Sequence, residues 1–71
     1  MASFKGKEIV TILQKLGYIQ KRQTGSHVIM YNLETKKTIP VPVHNKDLKS
    51  GTLRSIIKQT ESTEKDFLRL K

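Results

Sequence analysis

The chain has 71 residues, of which 35% are apolar and none is cysteine. This length fits a single domain over residues 1–71, and below about 80 residues one core rarely contributes more than roughly 3–5 kcal/mol. The lack of cysteine excludes disulfide bonds, thiolate metal ligands and cysteine nucleophiles. A secreted, disulfide-stabilised scaffold is thereby excluded, and we expect a cytoplasmic protein.

Charge is distributed unevenly along the chain. Lysine and arginine number 14 against 6 acidic residues, a formal net charge of +8, and the acids and bases from residue 61 onward cancel. The whole excess of positive charge lies in residues 1–60. This favours a polyanionic partner: nucleic acid first, then an anionic membrane or an acidic protein. The alternative is that the charge serves only solubility. The apolar run at 28–31 is far too short to span a bilayer, so we expect no membrane partner.

An amphipathic helix is predicted near the N-terminus, with an apolar stripe made by Ile9, Ile12, Leu13 and Leu16. Gly17 follows the stripe directly, and a residue without Cβ suits a left-handed C-terminal cap. The helix is therefore expected to end at this glycine.

Three strands are predicted next, at residues 18–23, 26–32 and 38–43, with Thr24-Gly25 as the turn between the first two. Backbone N–H groups at alternate positions point to the same edge of a strand. Pro40 and Pro42 therefore remove donors from one edge only, and the third strand is predicted to lie at the outside of the sheet.

A second long helix is predicted after the loop at 44–49, because apolar residues at Leu53, Ile56 and Ile57 have helical spacing. Ser50 is the predicted N-cap of this helix.

A short last helix is predicted from Thr63, where residues 63–66 resemble a capping box and Phe67 and Leu70 would face inward. The fold class is therefore α+β, in the order α-β-β-β-α with a three-stranded antiparallel sheet and a short extra C-terminal helix. Both long helices should cover one face of the sheet. This is the layout of double-stranded-RNA-binding domains.

His27 is a candidate general acid or base, since histidine is the side chain that ordinarily titrates near neutral pH. A three-residue turn with Gly25 left-handed would set Lys21 opposite His27, whereas a two-residue turn would set Arg22 there. Either pair suffices to cleave RNA, because a base takes the 2′-hydroxyl proton while a cation supports charge on the phosphorane. The alternative is an ordinary polar residue at a hairpin end.

His44 leaves three alternatives open: a complementary acid, a substrate contact or a loop residue. Two histidines without cysteine make a weak case for a metal, because a closed zinc site needs four ligands. We expect neither a metal nor a cofactor.

Basic residues cluster around the predicted start of the second long helix, where free N–H groups and the helix dipole favour a phosphate. These candidate RNA contacts are Lys46, Lys49, Arg54 and Lys58. The alternative is a solvated polar face.

Several ordered motifs resemble the HicA family, also called YcfA-like proteins, over almost the whole chain. They are Gly17-Tyr18, the run from Arg22 to His27 (RQTGSH), Val41-Pro42-Val43-His44, and the run from Gly51 to Gln59 (GTLRSIIKQ). Residues 60–62 depart from the pattern, because many relatives carry a small apolar residue and glycine there. This difference affects the hinge before the last helix.

The resemblance implies the toxin of a type II toxin–antitoxin system: an mRNA interferase with a double-stranded-RNA-binding-domain-like fold, neutralised by a HicB antitoxin. The family's catalytic histidine falls on His27, with Gly25 supplying the turn and Ser26 orienting the strand end. The resulting hypothesis is a metal-independent endoribonuclease that cuts mRNA or other single-stranded RNA. The rivals are a non-catalytic double-stranded-RNA-binding module and an inactive solitary family member.

Overall fold

A computed structural model describes residues 3–44 and 46–71; Asn45, in the predicted loop at 44–49, lies outside the described residues. The elements in chain order are α1 (Gly6–Lys15), β1 (Tyr18–Thr24), β2 (His27–Asn32), β3 (Thr38–Pro42), α2 (Ser50–Gln59) and α3 (Glu64–Leu70). The strands form one antiparallel sheet in the order β1-β2-β3. The predicted α+β architecture is confirmed, and it is consistent with the fold of double-stranded-RNA-binding domains.

The apolar stripe of α1 forms the centre of the core. Ile9, Ile12 and Leu13 are fully buried, and α1 contacts all three strands as well as α3. Gly17 follows the helix with φ of 96°, a left-handed conformation that residues with a Cβ rarely adopt. The predicted glycine cap is confirmed, and it turns the chain directly into β1.

One face of the sheet is buried and the other is open. Val28 and Met30 of β2 lie on the buried face, as do Ile39 and Val41 of β3. The intervening residues of β2 and β3, which include His27, point to the open face. None of the helices in the described residues is both long and apolar enough to cross a bilayer.

β3 lies at the edge of the sheet, as its prolines predicted. The Val43 N–H donates to the Ser26 carbonyl at 2.7 Å, and Val41 pairs with Val28. This alternation directs the N–H groups of odd-numbered residues toward β2, so Pro40 and Pro42 occupy positions that need no donor there. The prolines leave pairing with β2 intact while removing donors from the outer edge.

The caps of the last two helices differ. The predicted capping box of α3 is confirmed: the Thr63 hydroxyl accepts from the Asp66 N–H, and the Asp66 carboxylate accepts from the Thr63 N–H. The bond from the Thr63 N–H holds the pKa of Asp66 below its ordinary value. The predicted cap of α2 was wrong, because Ser50 is its first helical residue and Lys49 precedes it without a side-chain cap.

Gly6 lets α1 approach the end of β3. A Cβ at this position would overlap the Pro42 carbonyl oxygen and lie 2.8 Å from the Val43 Cα. Both are backbone atoms, which cannot move aside as a flexible side chain can. The packing of this glycine therefore holds the β3 end, and with it the segment that leads to His44.

Gly6→Ala is expected to destabilise the fold by at least about 1 kcal/mol, because the overlap outweighs the better helix propensity of alanine. Gly51→Ala is the matched control in the first turn of α2, where an added Cβ meets nothing within 4 Å. That substitution should leave stability unchanged or raise it by up to about 1 kcal/mol. Urea denaturation measures both, and equal effects would contradict the proposed close approach.

Candidate active site

The β1–β2 turn differs from both predicted registers. Thr24 pairs directly with His27, and Gly25 and Ser26 are the two residues between them. Gly25 has φ of 58°, which suits the first central position of a type II′ turn and requires no positive φ from Thr24. The prediction of Thr24-Gly25 as the turn was therefore wrong by one residue, and neither Lys21 nor Arg22 lies opposite His27.

His27 begins the middle strand on the open face of the sheet. Its neighbours across the sheet are Thr24 of β1 and Pro42 of β3. The pairing with Pro42 is not hydrogen-bonded, so the two side chains lie closer together than in a bonded pair. The imidazole is exposed, and no hydrogen bond among the described residues holds it.

A cavity of about 290 Å³ brings His27 together with the segment after β3. Its other charged or titratable lining residues are His44, Lys46, Asp47 and Lys49, and Thr52 of α2 completes the wall. The His27 and His44 side chains, far apart in sequence, thus face one space with two lysines. We call it the cationic cavity.

A second cavity of about 450 Å³ adjoins the first and shares His27, Pro42 and Thr52 with it. Its remaining lining residues are Pro40, Gly51, Ser55, Ile56 and Gln59, none of which carries a charge. We call it the neutral cavity. His27 thus borders both a charged and an uncharged cavity.

Lys21 lies at a β-bulge in β1, where the register shifts between Gln20 and Arg22. Its ammonium nitrogen sits 5.1 Å from the centre of the Tyr31 ring, a cation–π contact. Arg22 pairs with Ile29 on the same face as His27, one diagonal step away. Neither cation lines the two cavities.

The predicted RNA contacts separate into two pairs. Lys46 and Lys49 line the cationic cavity, whereas Arg54 and Lys58 are exposed on α2 and line neither cavity. The helix starts beside the first pair, and its N-terminal N–H groups have no side-chain cap. Two lysines and the positive end of the helix dipole therefore act on the same space.

Three lining residues escaped the sequence analysis: Thr52, Ser55 and Gln59, which follow one another at three- and four-residue spacing on α2. This polar stripe lies beside the buried apolar one, and the Gln59 amide donates to the Ser55 hydroxyl at 3.3 Å. The sequence shows the helical spacing of these residues, but it does not show which strand lies next to them.

The arrangement suits chemistry on a phosphodiester. An imidazole can move a proton, lysines can hold a phosphate, and the neutral cavity can take an uncharged group beside it. Within residues 3–44 and 46–71, no three histidine, aspartate or glutamate side chains cluster in a way that could hold a metal ion.

In a comparison with protein families, residues 6–61 match the family described as the HicA toxin of bacterial toxin–antitoxin systems. The match includes both histidines, the whole sheet and α2. Comparison with individually curated proteins gave no match.

Proposed function

Because the chain belongs to the HicA toxin family and is therefore a toxin of a bacterial toxin–antitoxin system, we propose that it is a metal-independent endoribonuclease that acts on single-stranded RNA. The observation that carries the proposal is the cationic cavity, where an exposed histidine faces two lysines beside an uncapped helix start. Single-stranded RNA supplies both a phosphodiester and a 2′-hydroxyl to such a site.

His27 acts as the general base in this proposal. The imidazole takes the proton of the 2′-hydroxyl, whose oxygen forms a new bond to phosphorus while the bond from phosphorus to the 5′-oxygen breaks. The products are a 2′,3′-cyclic phosphate and a 5′-hydroxyl. Because the nucleophile belongs to the substrate, no serine or cysteine is required.

Lys46 and Lys49 support the charge that develops on the phosphate, together with the N-terminal N–H groups of α2. This assignment replaces the predicted role of Lys21, whose ammonium group lies over Tyr31. Arg22, diagonal to His27 on the open face, contacts the flanking backbone of the RNA, as do Arg54 and Lys58.

The neutral cavity accommodates a base of the bound RNA. Pro40 and Pro42 provide flat apolar surfaces, and Ser55 and Gln59 provide hydrogen-bonding groups. A phosphate gains nothing from an uncharged space, whereas a base is uncharged and stacks on flat surfaces. The scissile phosphate therefore lies in the cationic cavity and a neighbouring base in the neutral one.

A HicB-like antitoxin neutralises the toxin in this proposal by covering His27 and the open face of the sheet. The net charge of +8 would speed association with an acidic partner through electrostatic steering. RNA and the antitoxin would then compete for one surface.

Purified protein should cleave single-stranded RNA in excess EDTA, and a deoxyribonucleotide at the scissile position should block the cut because the nucleophile is missing. Denaturing gels of end-labelled RNA measure both effects. Cleavage of the deoxy-substituted strand, or a strict requirement for Mg²⁺, would contradict the mechanism.

His27→Ala should lower the cleavage rate by about 100-fold or more, the range of a lost general base. Because His27 is exposed, the melting temperature and RNA affinity of the variant should remain close to those of the wild type. Gln14→Ala, at an exposed position of α1, is the control for rate. Undiminished cleavage by the histidine variant would refute the assignment, and RNA binding without cleavage by the wild type would indicate a binding module.

The double variant Lys46→Ala/Lys49→Ala should weaken RNA binding and flatten its salt dependence, by about 1.4 in the log–log slope if each lysine contacts one phosphate of a single strand. Lys7→Ala/Lys65→Ala removes the same charge from exposed positions outside both cavities. Fluorescence anisotropy at several salt concentrations compares the two. Equal losses would show that only net charge matters.

A further inference from the structure

Cleavage of RNA by its own 2′-hydroxyl requires two proton transfers at different atoms. One group removes a proton from the attacking oxygen, and another delivers a proton to the leaving 5′-oxygen on the opposite side of the phosphorus. A single imidazole cannot serve both positions at once. The mechanism proposed above therefore needs an acid besides His27.

His44 is placed to supply this acid. The hydrogen bond from the Val43 N–H to the Ser26 carbonyl joins the residues immediately before the two histidines. Both imidazoles line the cationic cavity, on the side where Lys46 and Lys49 would hold the phosphate. The chain contains two histidines, and the pairing of β2 with β3 brings both to this cavity.

We propose that His44 is the general acid of the cleavage reaction, a role that rests on the endoribonuclease function proposed above. The His44 imidazolium gives its proton to the 5′-oxygen as the bond from phosphorus to that oxygen breaks. His27 holds the proton of the 2′-hydroxyl at the end of the step. Exchange of both protons with water returns the two imidazoles to their starting states, so no other reactant is consumed.

The groups around His44 suit a proton donor that acts on a phosphate. The charged or titratable groups that line the cavity with it are His27 from β2 and Lys46, Asp47 and Lys49 from the segment before α2. From α2 itself comes the uncharged Thr52. Among the described residues, no hydrogen bond involves the His44 imidazole.

The test compares ordinary RNA with RNA that carries sulfur in place of the scissile 5′-oxygen. A thiolate leaves without a proton, because a thiol ionises at a far lower pH than a hydroxyl group does. His44→Ala should therefore cleave ordinary RNA about 100-fold more slowly than the wild type, and the sulfur-containing RNA within about threefold of it. His44→Gln, which keeps a hydrogen-bonding side chain without an acid, should behave in the same way.

The pH dependence of the cleavage rate is a second test of the role of His44. With a base and an acid in the site, the wild-type rate should fall on both sides of an optimum. Loss of the acid in His44→Ala should remove the decline at high pH and keep the decline at low pH. A merely structural role would lower the whole profile without changing its shape.

The outcomes separate this proposal from the endoribonuclease function itself. Equal slowing of both substrates, full activity of His44→Ala on ordinary RNA, or recovery by His44→Gln would overturn the acid role while the wild type still cleaves. His27→Ala should be slow on both substrates, because the 2′-hydroxyl needs its base in either case. A wild type that cleaves neither substrate would overturn both proposals together.

Discussion

The antiparallel pairing of β2 with β3 determines the candidate site. It sets Pro42 beside His27 and, through the bond from Val43 to Ser26, delivers the next residue, His44, to the same cavity. A slip of one residue would move His27 from the open face to the core. Gly6 supports this pairing from outside, because only a residue without a Cβ lets α1 reach the Pro42 carbonyl. Strand register and one close backbone approach therefore position the residues of the candidate site.

The parts of the fold that depend on local chemistry could be predicted from the sequence. Helical spacing located α1, Gly17 ended it, and two alternate prolines placed β3 at the edge. The β1–β2 turn could not be predicted in this way. The register depends on which residue occupies the first central position of the turn. Gly25 occupies that position instead of the predicted second one, and this difference changes every cross-strand partner between β1 and β2. The bulge at Lys21 adds a second shift that strand propensity does not encode.

His27 could be predicted from the sequence as a candidate catalytic residue, because histidine chemistry and a family resemblance both indicated it. The residues around His27 could not be predicted, because the linear sequence does not show whether a cation on the neighbouring strand or one on a distant loop lies closer to it. The structure places Lys46 and Lys49 in the lining of the cavity that contains His27, whereas Lys21 contacts Tyr31. The polar stripe of α2 was also not predicted as part of the site, because it lines a cavity only together with residues of β3.

Core and site are built from separate residues, and this separation suits a small toxin. Among residues 3–44 and 46–71, no polar or charged side chain is buried, and His27, His44, Lys46 and Lys49 are all exposed. Charges that stay in water carry no large desolvation penalty, so a thin core can support a strongly basic surface. The prolines of β3 leave the outer edge without donors at their positions, which discourages pairing with another sheet. In the proposed function, the open face binds RNA or the antitoxin that replaces it.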